Sequence, residues 1–508
     1  MPGTVAWGLA ALLPAGCVRP QYFQPDARPD AAASLPPAAD SVRGATAGRQ
    51  YARHGALYEA LVGCHHRRTW AVPVAVPVLR LADARPGGLR PGRVGGGFNS
   101  TSLGLTAADG RAFVLRTVDK DPIRATPALL RRTFLVNGLR DNVSATHPYG
   151  ALAVPPLAAA AGVPHASPQL YYVQPNDPAF WGDSLRLFRG QLAYLEEKTA
   201  VPAAAEGAAR PDVVSTVAAF AAVFAGPGHR LDQPGLLRAR LLDGWLGDWD
   251  RHAGQWNWAV YPAGAAGYAR VAPLPKDRDM VFFRLDDGAL GWLLGHVAQR
   301  HWTTFGPAYP PAGQLLSAGK YLDTRGLNAL TRAQFRQAAT TLQAQWPDTL
   351  INRALHRLPP AAFALEGPRL EAALRARRAA LPALADDFYR VLARRPVVGG
   401  TALAERFEVH RYADSTVVRV VTVGASPAAV IYHRAFFPAE TQLIQLEGLG
   451  GDDVFAVEAH GPHPNPRPRL RLYGGDGRDE LRGPPSPGVR YREGGAPPKH
   501  AYDRPPKE

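Results

Sequence analysis

The stretch "LGDWDRHAGQWNWAVYPAGAAGYARVAPLPKDRDMVFF", residues 246–283, decides how the rest of the chain is read. Two polar clusters, Asp248 to Asn257 and Lys276 to Asp279, flank a glycine-rich turn and the apolar run "YARVAPLP", which predicts a strand. Asp250 follows the amphipathic helical pattern "GLLRARLLDGWLGDW", and Gln255 and Asn257 stand five and seven residues beyond it. Asp277 and Asp279 follow the predicted strand at i and i+2. Two carboxylates so spaced can share a divalent ion, and an upstream amide oxygen suits the same ion. A surface network with Arg251, Lys276 and Arg278 accounts for any one of these acids. It accounts poorly for DxDRH, an amide and DxD falling within about 32 residues.

Upstream, Arg93 to Lys120 reads as a glycine-rich turn between strands, "GRVGGGFNSTSLGL" and then "ADGRAFVLRTVDKD". Asp109-Gly110 predicts a two-residue hairpin turn. Gly95, Gly96 and Gly97, closed by Ser100, Thr101 and Ser102, would bring amides and hydroxyls close to phosphate oxygens, although the spacing differs from GxGxxG. On the next strand Arg116, or alternatively Lys120, is placed to pair with a phosphate. In "YLEEKT" the backbone from Leu195 through Glu196 to Glu197 is the expected edge for an adenine. Phosphoryl transfer asks for this set: a cradle, a cation, an acid near the attacking hydroxyl and oxygen ligands for magnesium. The expected cofactors are therefore Mg²⁺ and ATP, with Asp250 against the substrate hydroxyl.

The 508 residues are too many for one core, and three domains are expected. Residues 1–17 read as a lipoprotein signal, 18–48 as a flexible tether and 49–200 as a β-rich lobe. Residues 201–395 read as a helical lobe carrying the site loops, 396–485 as a small β domain and 486–508 as a disordered tail. Thr331 and Gln334 predict a capping box opening one of the helices. The fold class is thus α+β, with a two-part mixed domain followed by an all-β one. With 58 Lys and Arg against 43 Asp and Glu, net charge is +15, which attracts anionic partners. No RNA-binding signature or zinc-finger spacing accompanies the charge, so a nucleic-acid partner is not expected. The run "VAWGLAALLPAGC" resembles a lipoprotein signal, which implies a lipid on Cys17 as membrane anchor, a cell-envelope location and no internal disulfide for Cys64.

The chain resembles two groups. "GDWDRHAGQWNW" with "LPKDRDMVFF" is distantly similar to the loops of atypical kinases, of the phosphatidylinositol and spore-coat-protein-H types. That resemblance implies a two-lobed kinase-like domain with Asp250 and His252 of a DRH-type motif as catalytic residues. It also implies Gln255 as metal ligand with Asn257, Asp277 as main magnesium ligand, and Asp279 beside it. Gln255 stands where asparagine is usual and Arg116 where lysine is usual, and no glutamate stands out in residues 127–142 to pair with Arg116. Over about residues 50–485, "GCHHRRTW", "GGGFNSTSLGL", "FVLRTVDKDP", "HPYGALAVPPLA" and "LLDGWLGDWDRHAGQWNWA" resemble uncharacterised envelope proteins of Bacteroidetes-type bacteria. Members of that group often continue into an outer-membrane β-barrel, which implies a barrel as partner here. The rival class is a catalytically inactive envelope scaffold using the same pocket for recognition. A metallophosphoesterase would share "GDWDRHAG" but needs upstream DxH and downstream GNH elements, which are missing. In the distal part, "EGLGGDDVFAV" and "YGGDGRDEL" resemble turns of the calcium-binding nonapeptide repeat, which would give Ca²⁺ to Asp453 and Asp479.

Overall fold

The computed structural model describes residues 19, 21–30, 35–36, 39–96, 101–124, 126–133, 135–198, 201, 210–265, 267–293, 295–296, 302–424, 428–461, 468–484 and 487–494. Cys17, Gly97 and Ser100 lie outside them. Seven strands build the first sheet: β1 (Ser41–Ala45), β2 (Val74–Leu79), β3 (Leu89–Gly95), β4 (Ser102–Ala107), β5 (Ala112–Thr117), β6 (Gln169–Val173) and β7 (Leu192–Glu197). Their order is β1-β2-β6-β7-β5-β4-β3, with only β2 and β6 parallel. Period-two patterning sets the two faces. Leu103, Leu105, Phe113, Leu115, Ala193 and Leu195 pack into one core, which turns Ser102, Arg116, Tyr194 and Glu196 to the other side. The Asp109-Gly110 turn has three residues instead of the expected two. Ala107 N–H donates to Arg111 O at 2.9 Å, and Gly110 takes the left-handed conformation at φ 82° that closes such a loop.

The segment expected as a tether is part of this sheet. β1 pairs with β2, and the buried Asp26 and Arg28 both hydrogen-bond the Tyr172 hydroxyl. The buried Val42 and Ala45 of β1 are three residues apart with a register shift between them, so no period-two pattern shows in the sequence.

A second sheet, β8 (Asp212–Ser215), β9 (His229–Leu231), β10 (Trp256–Tyr261) and β11 (Ala269–Pro275), runs in the order β8-β10-β11-β9. It stands among helices Thr216–Ala225, Gln233–Leu246, Arg332–Gln345, Asp348–Leu355, Pro360–Ala379 and Leu381–Ala393. The capping box at Thr331 and Gln334 is present in full. Residues 205–393 are therefore less uniformly helical than the sequence pattern suggests, because "QWNWAVY" hides a strand behind its polar residues.

From Val397 on, every described element is a strand. β12 (Val397–Gly399), β16 (Leu443–Gly450), β18 (Arg469–Asp476) and β20 (Val489–Gly494) form a wholly parallel sheet. β15 (Val430–Phe436), β14 (Thr416–Thr422), β13 (Glu405–Arg411), β17 (Val454–Ala459) and β19 (Glu480–Arg482) form the other. Both sheets supply one core, with Phe407, Val409, Ile444, Leu446, Phe455 and Leu470 fully buried. β20 lies within the expected disordered tail, paired with β18, so at least residues 489–494 are ordered by the ladder. Among the described residues no helix is long and apolar enough to cross a membrane.

Candidate active site

Helix Gln233–Leu246 stops where it does because Gly247 adopts φ 71° at its C-cap; a Cβ there would sit 2.9 Å from the Phe305 ring. The chain then turns through Asp248 and Asp250 into β10. β10 and β11 pair from Trp256↔Pro275, so the open end of this hairpin brings Gln255 beside Lys276, whose N–H donates to Gln255 O at 2.9 Å. The opening stretch is thus a hairpin whose base gathers both polar clusters.

Arg251, completely buried, fastens the two. Its guanidinium donates to the carbonyls of Lys276 at 2.5 Å, Asp277 at 3.2 Å and Gln255 at 3.2 Å. Beneath it Asp243 receives Arg240 at 2.9 Å and Arg278 at 2.5 Å, with Arg251 Nε 3.4 Å away. Asp248 lies beside this network with neither carboxyl oxygen hydrogen-bonded among the described groups. Burial, opposed mainly by Arg251, pushes its pKa up to about 7. These arginines and acids, readable as surface pairs in the sequence, are a buried platform under the site.

The cations arrive from the first sheet. Gly95, Ser102, Arg116 and Tyr194 are successive partners in one row across β3, β4, β5 and β7. Arg116 Nη1 reaches Asp277 Oδ1 at 2.7 Å, and Nη2 donates to Glu196 Oε1 at 2.6 Å. Lys120 Nζ pairs with Asp279 Oδ2. Both cations proposed from sequence therefore meet the DxD pair, one on each aspartate. Burial disfavours the Asp277 carboxylate, but Arg116, Lys120 and Arg251 outweigh it and hold its pKa below the usual range. Burial and the neighbouring Asp277 charge push Asp279 up despite Lys120.

A cavity of about 200 Å³ opens here, lined by Arg116, Glu196, Lys198, Asn257, Lys276 and Asp277 among others. A smaller one of about 50 Å³ adjoins it at Lys120, Asp277 and Asp279. Gln255 Nε2 faces Asp277 Oδ2 at 3.5 Å. Asp250 lines neither cavity, but its charge is felt there. Burial raises its pKa, His252 lowers it, and Asp279 and Asp277 add to the rise. His252 is exposed, and its Nδ1 accepts from Gly254 N–H at 3.0 Å, which makes it the cap of the short helix Ala253–Gln255. Gly95, Gly96 and Thr101 stand at the ends of β3 and β4 and line neither cavity, with Gly96 at φ 128°.

Sequence reasoning missed three features. The carboxylate partner of Arg116, sought in residues 127–142, is the Glu196 side chain on the adjacent strand, two residues from Tyr194, the register partner of Arg116. Leu195 is paired with both β5 and β6, so its backbone is committed to the sheet. The Arg251 clamp is the second feature. The third is a latch on the chain after Asp279. Phe282, buried at φ 62°, donates its N–H to Leu246 O at 3.1 Å, and its carbonyl lies 2.8 Å from His66 Nε2. His66 Nδ1 in turn meets Glu366 at 2.6 Å, and "CHHRRTW" offered no spacing that pointed to either contact.

Asp453 and Asp479 stand in stacked turns. Glu405 N–H donates to Asp453 Oδ1 at 2.8 Å, and Asp453 N–H to Asp479 Oδ1 at 3.1 Å. Both side chains therefore brace successive backbone turns.

No family model and no curated protein matches the chain. Among solved structures it is similar to the crystal structure of a Helicobacter pylori proinflammatory kinase, CtkA. The TM-score is 0.33 and the identity 11%, over 59% of this chain and 95% of that one.

Proposed function

We propose that the chain is an atypical, kinase-like phosphotransferase. Residues 49–200 and 201–395 act as its two lobes, and residues 396–485 as a separate β domain. The observation that carries this reading is Arg116 spanning Glu196 and Asp277 at 2.6 and 2.7 Å across the cavity. A half-buried guanidinium held by one carboxylate and resting on a second is a charge arrangement that a phosphate and a divalent ion can enter together. Arg116 would meet the phosphate, and Asp277 would be a ligand of the ion. Asp277, the Gln255 amide and Asn257 are hard oxygen donors that suit Mg²⁺, which when bound neutralises phosphate charge. Lys120 holds Asp279 against the same end. Asp250, its pKa raised by burial, accepts the proton of the attacking hydroxyl as the oxygen bonds phosphorus and the nucleoside diphosphate leaves. The same reading anchors the chain in the envelope through a lipid on Cys17, beside an outer-membrane barrel.

The test is nucleoside diphosphate release by the full chain in Mg²⁺ and ATP, with water or an added alcohol as acceptor. Wild type should show magnesium-dependent release that falls about 100-fold or more in Asp250→Asn. Release that survives the substitution, or no release by wild type above a protein-free control, rules the reading out.

A further inference from the structure

Outside the cleft, the described residues hold two groups of side chains whose ligand atoms converge, and one of them is open to solvent. His410 on β13 is the register partner of Glu458 on β17. His460 follows β17 and is kept in the ladder by its N–H, which donates to Arg411 O at 2.8 Å. His410 Nδ1 and His460 Nε2 are 3.0 Å apart, and Glu458 Oε2 lies 3.4 Å from the first and 3.8 Å from the second.

A tetrahedral ion with bonds of about 2.0–2.1 Å sets its ligand atoms about 3.3 Å apart. The three observed separations scatter around that edge length, so the three atoms already outline one face of a coordination tetrahedron. The imidazole centroids are 5.2 Å apart with planes 28° from parallel, which means that the rings meet edge to edge through those nitrogens. A small turn about each soft χ2 aims both lone pairs at a point on the carboxylate side. Tyr412 lies nearly parallel to His460, with ring centroids 4.8 Å apart. The side chains are 32%, 55% and 41% exposed in chain order, so an ion enters without unfolding and its fourth position faces water.

We propose that His410, Glu458 and His460 bind a divalent transition-metal ion of the zinc class, which staples β13 to the chain leaving β17. Two imidazole nitrogens select such an ion over magnesium. This site is independent of the phosphotransferase reading. The other group, the buried His66, His147 and Glu366, is not its equivalent. His147 Nδ1 accepts from Tyr149 N–H at 3.1 Å, which places the ring proton on Nε2 and leaves no lone pair there for a metal.

The experiment is calorimetric titration of ZnCl₂, and separately MgCl₂, into the untagged full chain after treatment with a chelator. Zinc should bind wild type and Asp277→Asn equally. His410→Ala and His460→Ala should each weaken it by at least about tenfold. Because none of the three positions is buried, the metal-free variants should melt with wild type, and zinc should raise the melting temperature of wild type and Asp277→Asn but not of the His410→Ala/His460→Ala double variant. Zinc binding that persists in the double variant, or no zinc binding by wild type, overturns the proposal.

Discussion

Asp277 sits at φ 51°, a conformation that asparagine adopts as readily as aspartate and alanine does not. Asp277→Asn is therefore the substitution that removes the charge while sparing the backbone. Arg251 is the opposite case, since its loss strands three carbonyls and leaves Asp243 and Asp248 buried with one cation fewer. Arg251→Ala should cost about 3–5 kcal/mol in equilibrium denaturation, and a cost near zero would mean that the clamp holds nothing. Asp248 predicts a pH dependence. Burial raises its pKa to about 7 in the folded chain, whereas unfolded carboxyls titrate near about 3.9. Between those values the folded state keeps a proton that the unfolded state has released, so stability falls as pH rises through the window. Asp248→Asn should flatten that fall, measured as urea midpoints at about pH 5 and about pH 8; an unchanged difference would assign it to other groups.

Among the elements, strand β16 has a position that leaves no room for a side chain. A Cβ on Gly448 would lie 2.0 Å from Asp453 Oδ2 and 2.2 Å from Gly474 O, and the second contact is backbone that cannot rotate away. Gly448→Ala should destabilise the chain by about 2–3 kcal/mol, read as an earlier denaturation midpoint. Elements with a clear period were legible in the sequence. The β4–β5 hairpin, strand β11 and the capped helix Arg332–Gln345 lie where alternation, turn chemistry or helical spacing puts them. β10 was not, because its buried Trp256, Trp258, Ala259 and Tyr261 follow directly on the polar cluster and are interrupted by Asn257. β1 and β20 were not, because each is ordered by a partner strand distant in sequence.

Across the whole molecule, the candidate site is a meeting of four sequence regions. Arg116 and Glu196 come from the first sheet, Lys120 from the chain just after β5, Asp250 and Gln255 from the turn before β10, and Asp277 and Asp279 from the chain after β11. The acids and amides were legible because the hairpin brings near neighbours together. The Arg116–Glu196 pair was not, since only strand order places β7 beside β5. Removing residues 1–48 should lower the melting temperature relative to the full chain, because it strips β1 and the Asp26–Tyr172 contact from the same sheet; equal melting would return that segment to the status of a tether.

The most direct test of the site is thermal unfolding of the full chain with and without Mg-ATP, for wild type and Asp277→Asn. Ligand at about one hundred times its dissociation constant adds about 2.7 kcal/mol, a rise of a few degrees. A magnesium-dependent rise in wild type that is lost in Asp277→Asn is the predicted result. No shift in wild type at millimolar Mg-ATP, or the same shift in both proteins, would contradict a nucleotide site built on Arg116 and Asp277.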